Sequence, residues 1–295
     1  MCRQPTRRFF LKASLACLAS SPALAAIARA RRADRKAEEK PPRFRFYAMD
    51  TGLVGPDVPT LEKKVALLKR LGFAGIGYTL NHRQLPNLLE LLDKSGLELS
   101  AVYTTPRLED KLDPELAGSI RRMKGRATRI ELAITSRRFK PSTVEGDELG
   151  GELLRRVSDL AADTGPVVSV YPHRGFWTER VDDGLRLAKK VDRKNVGTHF
   201  NLVHWKWAPS KKALPDLLKE TLPHLFAVTI NGLKGDRIVS LEEGDYDIEG
   251  FVKLLVEVGY RGPVGLQGYG VAGPSAEHLG RSMKKWRDLL KLVEA

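Results

Sequence analysis

The stretch GTHFNLVHW, residues 197–205, concentrates side chains that can do chemistry. Its histidines, His199 and His204, suggest a metal site, because imidazole nitrogens are among the commonest ligands of protein-bound metals. Asn201 stands between them, where a hard cation such as Mg²⁺ would favour a carboxylate. The alternative is a structural histidine bonded to a neighbouring carbonyl. We interpret His199 in this way, whereas both interpretations stay open for His204.

Polar and aromatic side chains also follow the other apolar runs of the chain. Together with the first stretch they form one set of candidates: Glu131, Tyr171, His173, Trp177, Asn201, His204, Trp205, Asn231, Lys234, Arg237, Gln267 and Tyr269. Imidazoles, amides and rings are typical of a site that binds a hydroxyl-rich ligand through hydrogen bonds and ring contacts. This composition therefore favours carbohydrate binding, provided that the fold brings the residues together.

Three members of this set, Glu131, Trp177 and Trp205, have a plain structural alternative. Glu131 alternates with Arg129 along one apolar run, so an internal ion pair is the favoured interpretation and a general base is the other. The tryptophans, Trp177, Trp205 and Trp207, serve either as loop packing or as a platform for a sugar ring.

The elements that must position these residues alternate regularly. Eight short apolar, β-rich runs are each followed by an amphipathic helical run, in which residues such as Leu61, Val65 and Leu68 recur at helical spacing. Eight such units in about 250 residues predict an α/β fold, a single (β/α)8 TIM barrel over residues 44–295. A doubly wound open sheet is the alternative, but no Gly-rich phosphate fingerprint follows the first strand.

The start of the chain has the pattern of an export signal. Residues 6–12, TRRFFLK, resemble the twin-arginine pattern, and a short Ala-rich apolar run follows over residues 13–28. We therefore predict a twin-arginine signal peptide over residues 1–28, a basic linker over 29–43 and a periplasmic or otherwise exported protein. Both cysteines fall inside the signal, so thiolate chemistry and sulfur-ligated zinc are excluded from the barrel.

The positive charge of the chain does not indicate nucleic-acid binding. Residues 1–40 hold ten Lys and Arg against three acids, which accounts for +7 of the formal charge of +14. The remaining +7 is spread over the barrel without a basic block. We expect no nucleic-acid partner and no stable membrane insertion after signal removal; the oligomeric state is left open.

Several segments resemble the xylose-isomerase-like superfamily of barrels. They are LLKRLGFAGI, LLDKSGLELSAVYT, YPHRGFW, FNLVHW and GYRGPVGLQGYG. This superfamily contains sugar isomerases and epimerases, inosose dehydratases and endonuclease IV. The resemblance extends over nearly everything after Phe44 and implies a TIM barrel that acts on carbohydrates.

The resemblance also implies where a metal would be held. In sugar epimerases of that family, a Glu, an Asp, a His and a Glu at the ends of strands five to eight hold one divalent cation. The corresponding positions here hold Tyr171, Asn201, Asn231 and Gln267. Carboxylates supply most of the attraction for Mg²⁺ or Mn²⁺, and none of the four replacements is a carboxylate. We therefore expect no metal and no other cofactor.

A divalent cation (Mn²⁺, Mg²⁺ or Zn²⁺) remains the alternative. It would depend on His173 and His204, with Glu131 or Asp236 as further ligands. In the family pattern, His204 matches a histidine that contacts substrate, and Arg237 matches an arginine six residues after the strand-seven ligand.

The function implied by the resemblance is that of an isomerase or epimerase, with a lyase as a variant. Such an enzyme would transfer a proton next to a carbonyl of a small-molecule carbohydrate or keto-sugar. His173, His204 and Glu131 are then the catalytic candidates, and the remaining candidates would bind substrate. A non-catalytic carbohydrate-binding barrel is the alternative. An endonuclease of the endonuclease IV type is disfavoured, because its zinc cluster needs more His and acidic ligands than these strand ends offer.

Overall fold

The structure is a computed structural model that describes residues 43–294. The predicted signal peptide and all but the last residue of the predicted linker lie outside the described residues. The strands are β1 (Phe46–Met49), β2 (Gly75–Thr79), β3 (Glu98–Thr104), β4 (Arg129–Leu132), β5 (Val167–Val170), β6 (Val196–Asn201), β7 (Leu225–Ile230), β8 (Gly232–Lys234), β9 (Arg237–Val239) and β10 (Val264–Leu266). The helices are α1 (Leu61–Leu71), α2 (Leu85–Ser95), α3 (Leu116–Arg122), α4 (Asp147–Ala161), α5 (Val181–Val191), α6 (Leu202–Trp207), α7 (Leu214–Thr221), α8 (Ile248–Glu257) and α9 (Ser275–Glu294).

Strands β1 to β7 and β10 close into a parallel barrel. The order around the barrel is β1-β10-β7-β6-β5-β4-β3-β2, and the pairing of Phe46 with Val264 joins the last strand to the first. Helices connect successive strands, as the right-handed crossover between parallel strands requires. The predicted (β/α)8 TIM barrel is therefore confirmed.

Two layers of side chains follow from the two-residue period of the strands. Aliphatic residues such as Ile130 and Val168 face outward and pack under the helices in the main core. The inward face is polar and aromatic instead, and a separate cluster there joins Tyr47, Met49 and Tyr171. The Tyr47 ring fits because Gly265 leaves room for it: a Cβ on Gly265 would lie 2.5 Å from Tyr47 Cζ.

Local sequence signals define the ends of the helices. The hydroxyl of Thr60 accepts a hydrogen bond from Lys63 N at the start of α1, and Gly72 ends that helix with a φ of 87°. At the end of β6, the side chain of Asn201 caps the short helix α6 by accepting from His204 N. His204 therefore lies in the first turn of a helix.

A small hairpin after β7 is a feature that the sequence did not predict. Strands β8 and β9 pair antiparallel around Gly235 and Asp236, and Lys234 lies directly opposite Arg237. Gly235 has a φ of 57°, which is the conformation that a two-residue hairpin turn requires. Among the helices described between residues 43 and 294, none is both long and apolar enough to cross a membrane.

Candidate functional site

A cavity of about 320 Å³ lies where the barrel strands end, and we call it the mouth cavity. Its lining consists of Met49, Thr51, Thr79, Tyr103, Tyr171, His173, His204, Trp207, Ile238, Gln267 and Tyr269. Five of the sequence-predicted residues are among them: Tyr171, His173, His204, Gln267 and Tyr269. The lining contains no Asp, Glu, Lys or Arg, so its polar groups are hydroxyls, imidazoles and one amide.

Asn201 lies buried at this end of the barrel and organises three neighbours through hydrogen bonds. Its Nδ2 donates to Tyr171 Oη and to Gln267 Oε1, each at 2.5 Å. Its Oδ1 accepts from His204 N at 3.1 Å. Because a backbone N–H can only donate, the oxygen of the amide must face His204, and the NH₂ group must face the other two residues. The orientation of the amide is thereby determined by its neighbours.

The peptide of Arg174 determines the tautomers of the two histidines in the mouth cavity. Its N–H donates to His204 Nδ1 at 3.4 Å, which leaves the proton of His204 on Nε2. Its carbonyl accepts from His173 Nδ1 at 3.0 Å, which leaves Nε2 of His173 as an acceptor. The rings lie 4.1 Å apart between centroids. The pair therefore offers one donor and one acceptor, the complement of a hydroxyl group.

Both histidines are neutral at pH 7. Burial, followed by the nearby His173 and His199, lowers the pKa of His204 to about 3. Burial also lowers the pKa of His173, and the hydrogen bond to the Arg174 carbonyl offsets this only in part. Burial raises the pKa of Tyr171 well above its ordinary value. The mouth cavity consequently carries no formal charge at neutral pH.

Glu131 lies in the barrel interior and does not line the mouth cavity. Its Oε1 is 3.1 Å from His199 Nδ1, and both side chains are almost fully buried. The two atoms are close together but are not aligned for a hydrogen bond. The sequence favoured Arg129 as the partner, but its guanidinium instead lies 5.2 Å from the centroid of the Tyr47 ring. His199 is structural, as expected, and its Nε2 is 3.1 Å from Thr229 Oγ1.

Trp177 and Trp205 were predicted to bind substrate, but neither lines the mouth cavity. Trp177 is fully buried, and its Nε1 donates to Thr143 O at 3.0 Å. Its ring fills the space beside Gly150, where a Cβ would lie 2.6 Å from the indole. Trp205 packs against the main core, with its ring centroid 5.9 Å from that of Phe200. Both are packing residues, because hydrophobic burial and not ligand contact determines their place.

Trp207 is the one of the three tryptophans named above that lines the mouth cavity. It packs edge-on against His204, with 5.6 Å between ring centroids. Residues three apart share a helix face, so predicting α6 would have placed Trp207 beside His204. Ile238 belongs to the hairpin that the sequence did not predict, and Met49 and Thr79 are ordinary strand-end residues with no distinctive signal.

The other predicted residues lie beside the mouth cavity. Asn231 is buried; its Nδ2 donates to Gly232 O at 2.9 Å, and its Oδ1 has no partner among the described residues. Lys234 and Arg237 line a neighbouring cavity of about 510 Å³, together with Asp236. We call this neighbouring cavity the second compartment.

Among the described residues, His173 and His204 are the only His, Cys, Asp or Glu residues that line the mouth cavity, so no group of three such side chains lies there. Between residues 43 and 294, one group of three could hold a common ion: His82, Asp113 and Glu115, which line neither cavity of the site. Both ring nitrogens of His82 already have partners, Ser119 Oγ at 2.7 Å and Asp113 Oδ2 at 2.9 Å. This group is an ordinary hydrogen-bonded cluster.

The model of one family matches residues 65–291, and its description is xylose isomerase-like TIM barrel. The chain belongs to this family. The match covers most of the barrel, from the first helix to the last. No curated protein matches the chain by sequence.

Solved structures of the family superpose on the chain over most of its length. One is the 3-keto-D-glucoside 4-epimerase YcjR from E. coli, at 16% identity and a TM-score of 0.69, covering 83% of this chain and 99% of that one. Another is D-allulose 3-epimerase from Methylomonas sp., at 17% identity and 0.66, covering 84% and 99%. A third is the IOLI protein with a binding zinc atom, at 16% identity and 0.67, covering 85% and 99%. At these identities the likeness establishes the fold.

Proposed function

We propose that the barrel binds a neutral carbohydrate or keto-sugar in the mouth cavity without a divalent cation. The observation that carries this proposal is the orientation of Asn201, whose NH₂ group donates to Tyr171 Oη and Gln267 Oε1. Those two oxygens occupy positions at which the resemblance implies metal ligands. An amide N–H already satisfies both of them, as a cation would in a metal site.

The charge of the donor set supports the same proposal. The four positions hold one phenol and three amides, which supply no negative charge: Tyr171, Asn201, Asn231 and Gln267. Burial raises the pKa of the Tyr171 phenol, so it stays protonated. Removing the water shell of a small divalent cation costs free energy, and neutral dipoles offset this cost poorly. The residues present therefore do not fit the divalent cation that the family implies.

The remaining groups of the mouth cavity suit a sugar. Tyr103 and Trp207 contribute aromatic rings to the lining, and the complementary tautomers of His173 and His204 suit a hydroxyl group. Among the structural neighbours, two are named as epimerases of a keto-glucoside and of allulose. Their names suggest 3-keto-glucosides and ketohexoses as the first probes.

Calorimetric titration with these sugars in the presence of EDTA tests the binding proposal. We expect saturable binding of at least one sugar, with a Kd that stays constant between about pH 7 and 9. The Kd should increase as the pH falls below the ordinary histidine pKa, because protonation of His173 removes the acceptor at Nε2 and weakens binding. Protonation of His204 follows only near pH 3. Binding that requires added Mn²⁺, or that strengthens in acid, would contradict the proposal.

Proton transfer next to a carbonyl is the second candidate function. The free Nε2 of His173 favours it, since this atom is an unprotonated base in the mouth cavity. If it operates, a bound keto-sugar should exchange the hydrogen next to its carbonyl with solvent deuterium, and His173→Ala should abolish the exchange. Nuclear magnetic resonance of the sugar checks this. Binding without exchange would leave the non-catalytic barrel as the function.

We also propose that the chain is exported by the twin-arginine route. The support is the sequence of residues 6–12 and the apolar run that follows it. Replacing Arg7 and Arg8 together with lysine should retain the protein in the cytoplasm of a bacterial host. Cell fractionation followed by immunoblotting checks this, and unchanged export of the double variant would refute the assignment.

A further inference from the structure

The second compartment is contiguous with the mouth cavity. Three residues line both: Trp207, Ile238 and Tyr269. Tyr269 is 67% exposed, which makes it one of four large apolar side chains that lie open to solvent among the described residues. An aromatic ring at the boundary of two cavities is placed to contact a ligand that extends from one into the other.

The charged groups of the second compartment fall into two sets. Arg281 is fully engaged, because it donates to Glu242 at 2.5 Å, to Glu243 at 2.6 Å and to Ser240 Oγ at 3.0 Å. The side chains around the tip of the hairpin differ. Lys234, Asp236 and Arg237 make no hydrogen bond or ion pair with any other side chain between residues 43 and 294.

The unengaged set contains two cations and one carboxylate, so it offers donors and an acceptor side by side. Lys234 and Arg237 lie directly opposite each other on the hairpin, an arrangement that like charges disfavour unless another group lies between them. A unit with several hydroxyls can accept from both cations and donate to Asp236. Charges of both signs match such a neutral unit better than they match an anion.

We infer that the second compartment is a subsite for a second sugar unit, so that the ligand is a disaccharide or a comparable glycoside. The inference rests on the proposed carbohydrate binding in the mouth cavity. A volume of about 320 Å³ is near the lower end of the range for small-molecule sites, which is about 300–1,000 Å³. The mouth cavity accommodates the first ring, Trp207 and Tyr269 contact the junction, and the hairpin binds the second ring.

The test compares matched pairs of sugars by calorimetry with the full chain. The probes are neutral monosaccharides with their 3-keto derivatives, the corresponding disaccharides, and the corresponding sugar acids and sugar phosphates. At least one disaccharide should bind about tenfold more tightly than its monosaccharide. Lys234→Ala and Arg237→Ala should each reduce that ratio toward one. Lys69→Ala, an exposed charge on α1, is the matched control and should leave the ratio unchanged.

Failure of the subsite and failure of the proposed function give different results in this experiment. Equal affinities for monosaccharides and disaccharides would overturn the subsite and retain the proposed binding in the mouth cavity. A preference for the acid or phosphate, with affinity falling steeply as salt rises, would assign the second compartment to an anion and overturn the inference. Absence of binding by every probe would overturn the proposed function and the subsite together.

Discussion

Replacing Asn201 with aspartate should lower the free energy of unfolding at pH 7 by about 3–5 kcal/mol. Aspartate keeps the cap of α6, because its carboxylate can still accept from His204 N. It cannot donate to Tyr171 Oη or Gln267 Oε1, so both groups would have to turn and donate to it. The new carboxylate would still be a buried charge, because no Lys or Arg lines the mouth cavity to offset it. Chemical denaturation of the variant and the wild type measures the difference.

The pH dependence separates this charge effect from a general packing defect. Burial raises the pKa of the new carboxyl group in the folded state above its unfolded value. Its penalty is therefore present above the folded pKa and disappears as the pH falls toward the unfolded value. Asn81→Asp is the matched control, because Asn81 is exposed and its Oδ1 likewise accepts from a backbone N–H three residues on, that of Gln84. This change should cost less than about 0.5 kcal/mol. A loss for Asn201→Asp that does not depend on pH would contradict the assigned role of the amide.

A double variant built on Asn201→Asp tests whether the site of the wild-type protein binds a divalent cation. Combining Asn201→Asp with Gln267→Glu places two carboxylates where the amide now bridges to an amide oxygen. Their repulsion should be relieved by Mn²⁺, so millimolar Mn²⁺ should raise the Tm of the double variant by several degrees and leave the wild type unchanged. An equal rise in the wild type would mean that the amides already bind the cation.

Removing the carboxylate of Glu131 should cost about 3–5 kcal/mol of folding free energy, because both members of its pair with His199 are buried. Glu131→Ala leaves His199 without this partner and removes side-chain volume from the buried interior of the barrel. Glu131→Gln keeps the shape of the side chain and one acceptor oxygen, so it should lower the folding free energy by less than Glu131→Ala does. Denaturant unfolding of both variants measures the two losses.

An exposed pair offers the control for this prediction. Lys94 and Glu90 lie 2.5 Å apart on α2, but both side chains are more than 60% exposed. Glu90→Ala should cost less than about 1 kcal/mol, because water screens and replaces the interaction. Equal small losses for Glu131→Ala and Glu90→Ala would show that the buried pair does not stabilise the barrel. Sugar binding by folded Glu131→Gln should persist, since Glu131 does not line the mouth cavity.

The sequence by itself determined the barrel and the chemical type of its site. Alternation of apolar runs and amphipathic helices is a local property, which depends on the two-residue and 3.6-residue periods of the backbone. The same logic placed Tyr171, His173 and Gln267 at strand ends, and the structure brings these three together with His204 in one cavity. The four positions at which the resemblance implies metal ligands likewise hold uncharged side chains in the sequence itself.

Only the tertiary structure decided which neighbours each candidate meets. Glu131 pairs with a histidine two strands away instead of the arginine on its own strand, because strand order and tilt determine contacts across the barrel interior. Trp177 is buried in the core, where its ring fills the space beside Gly150. The hairpin places Ile238 in the lining of the mouth cavity. The NH₂ group of Asn201 donates to partners 30 and 66 residues away, and no pattern along the chain encodes such contacts.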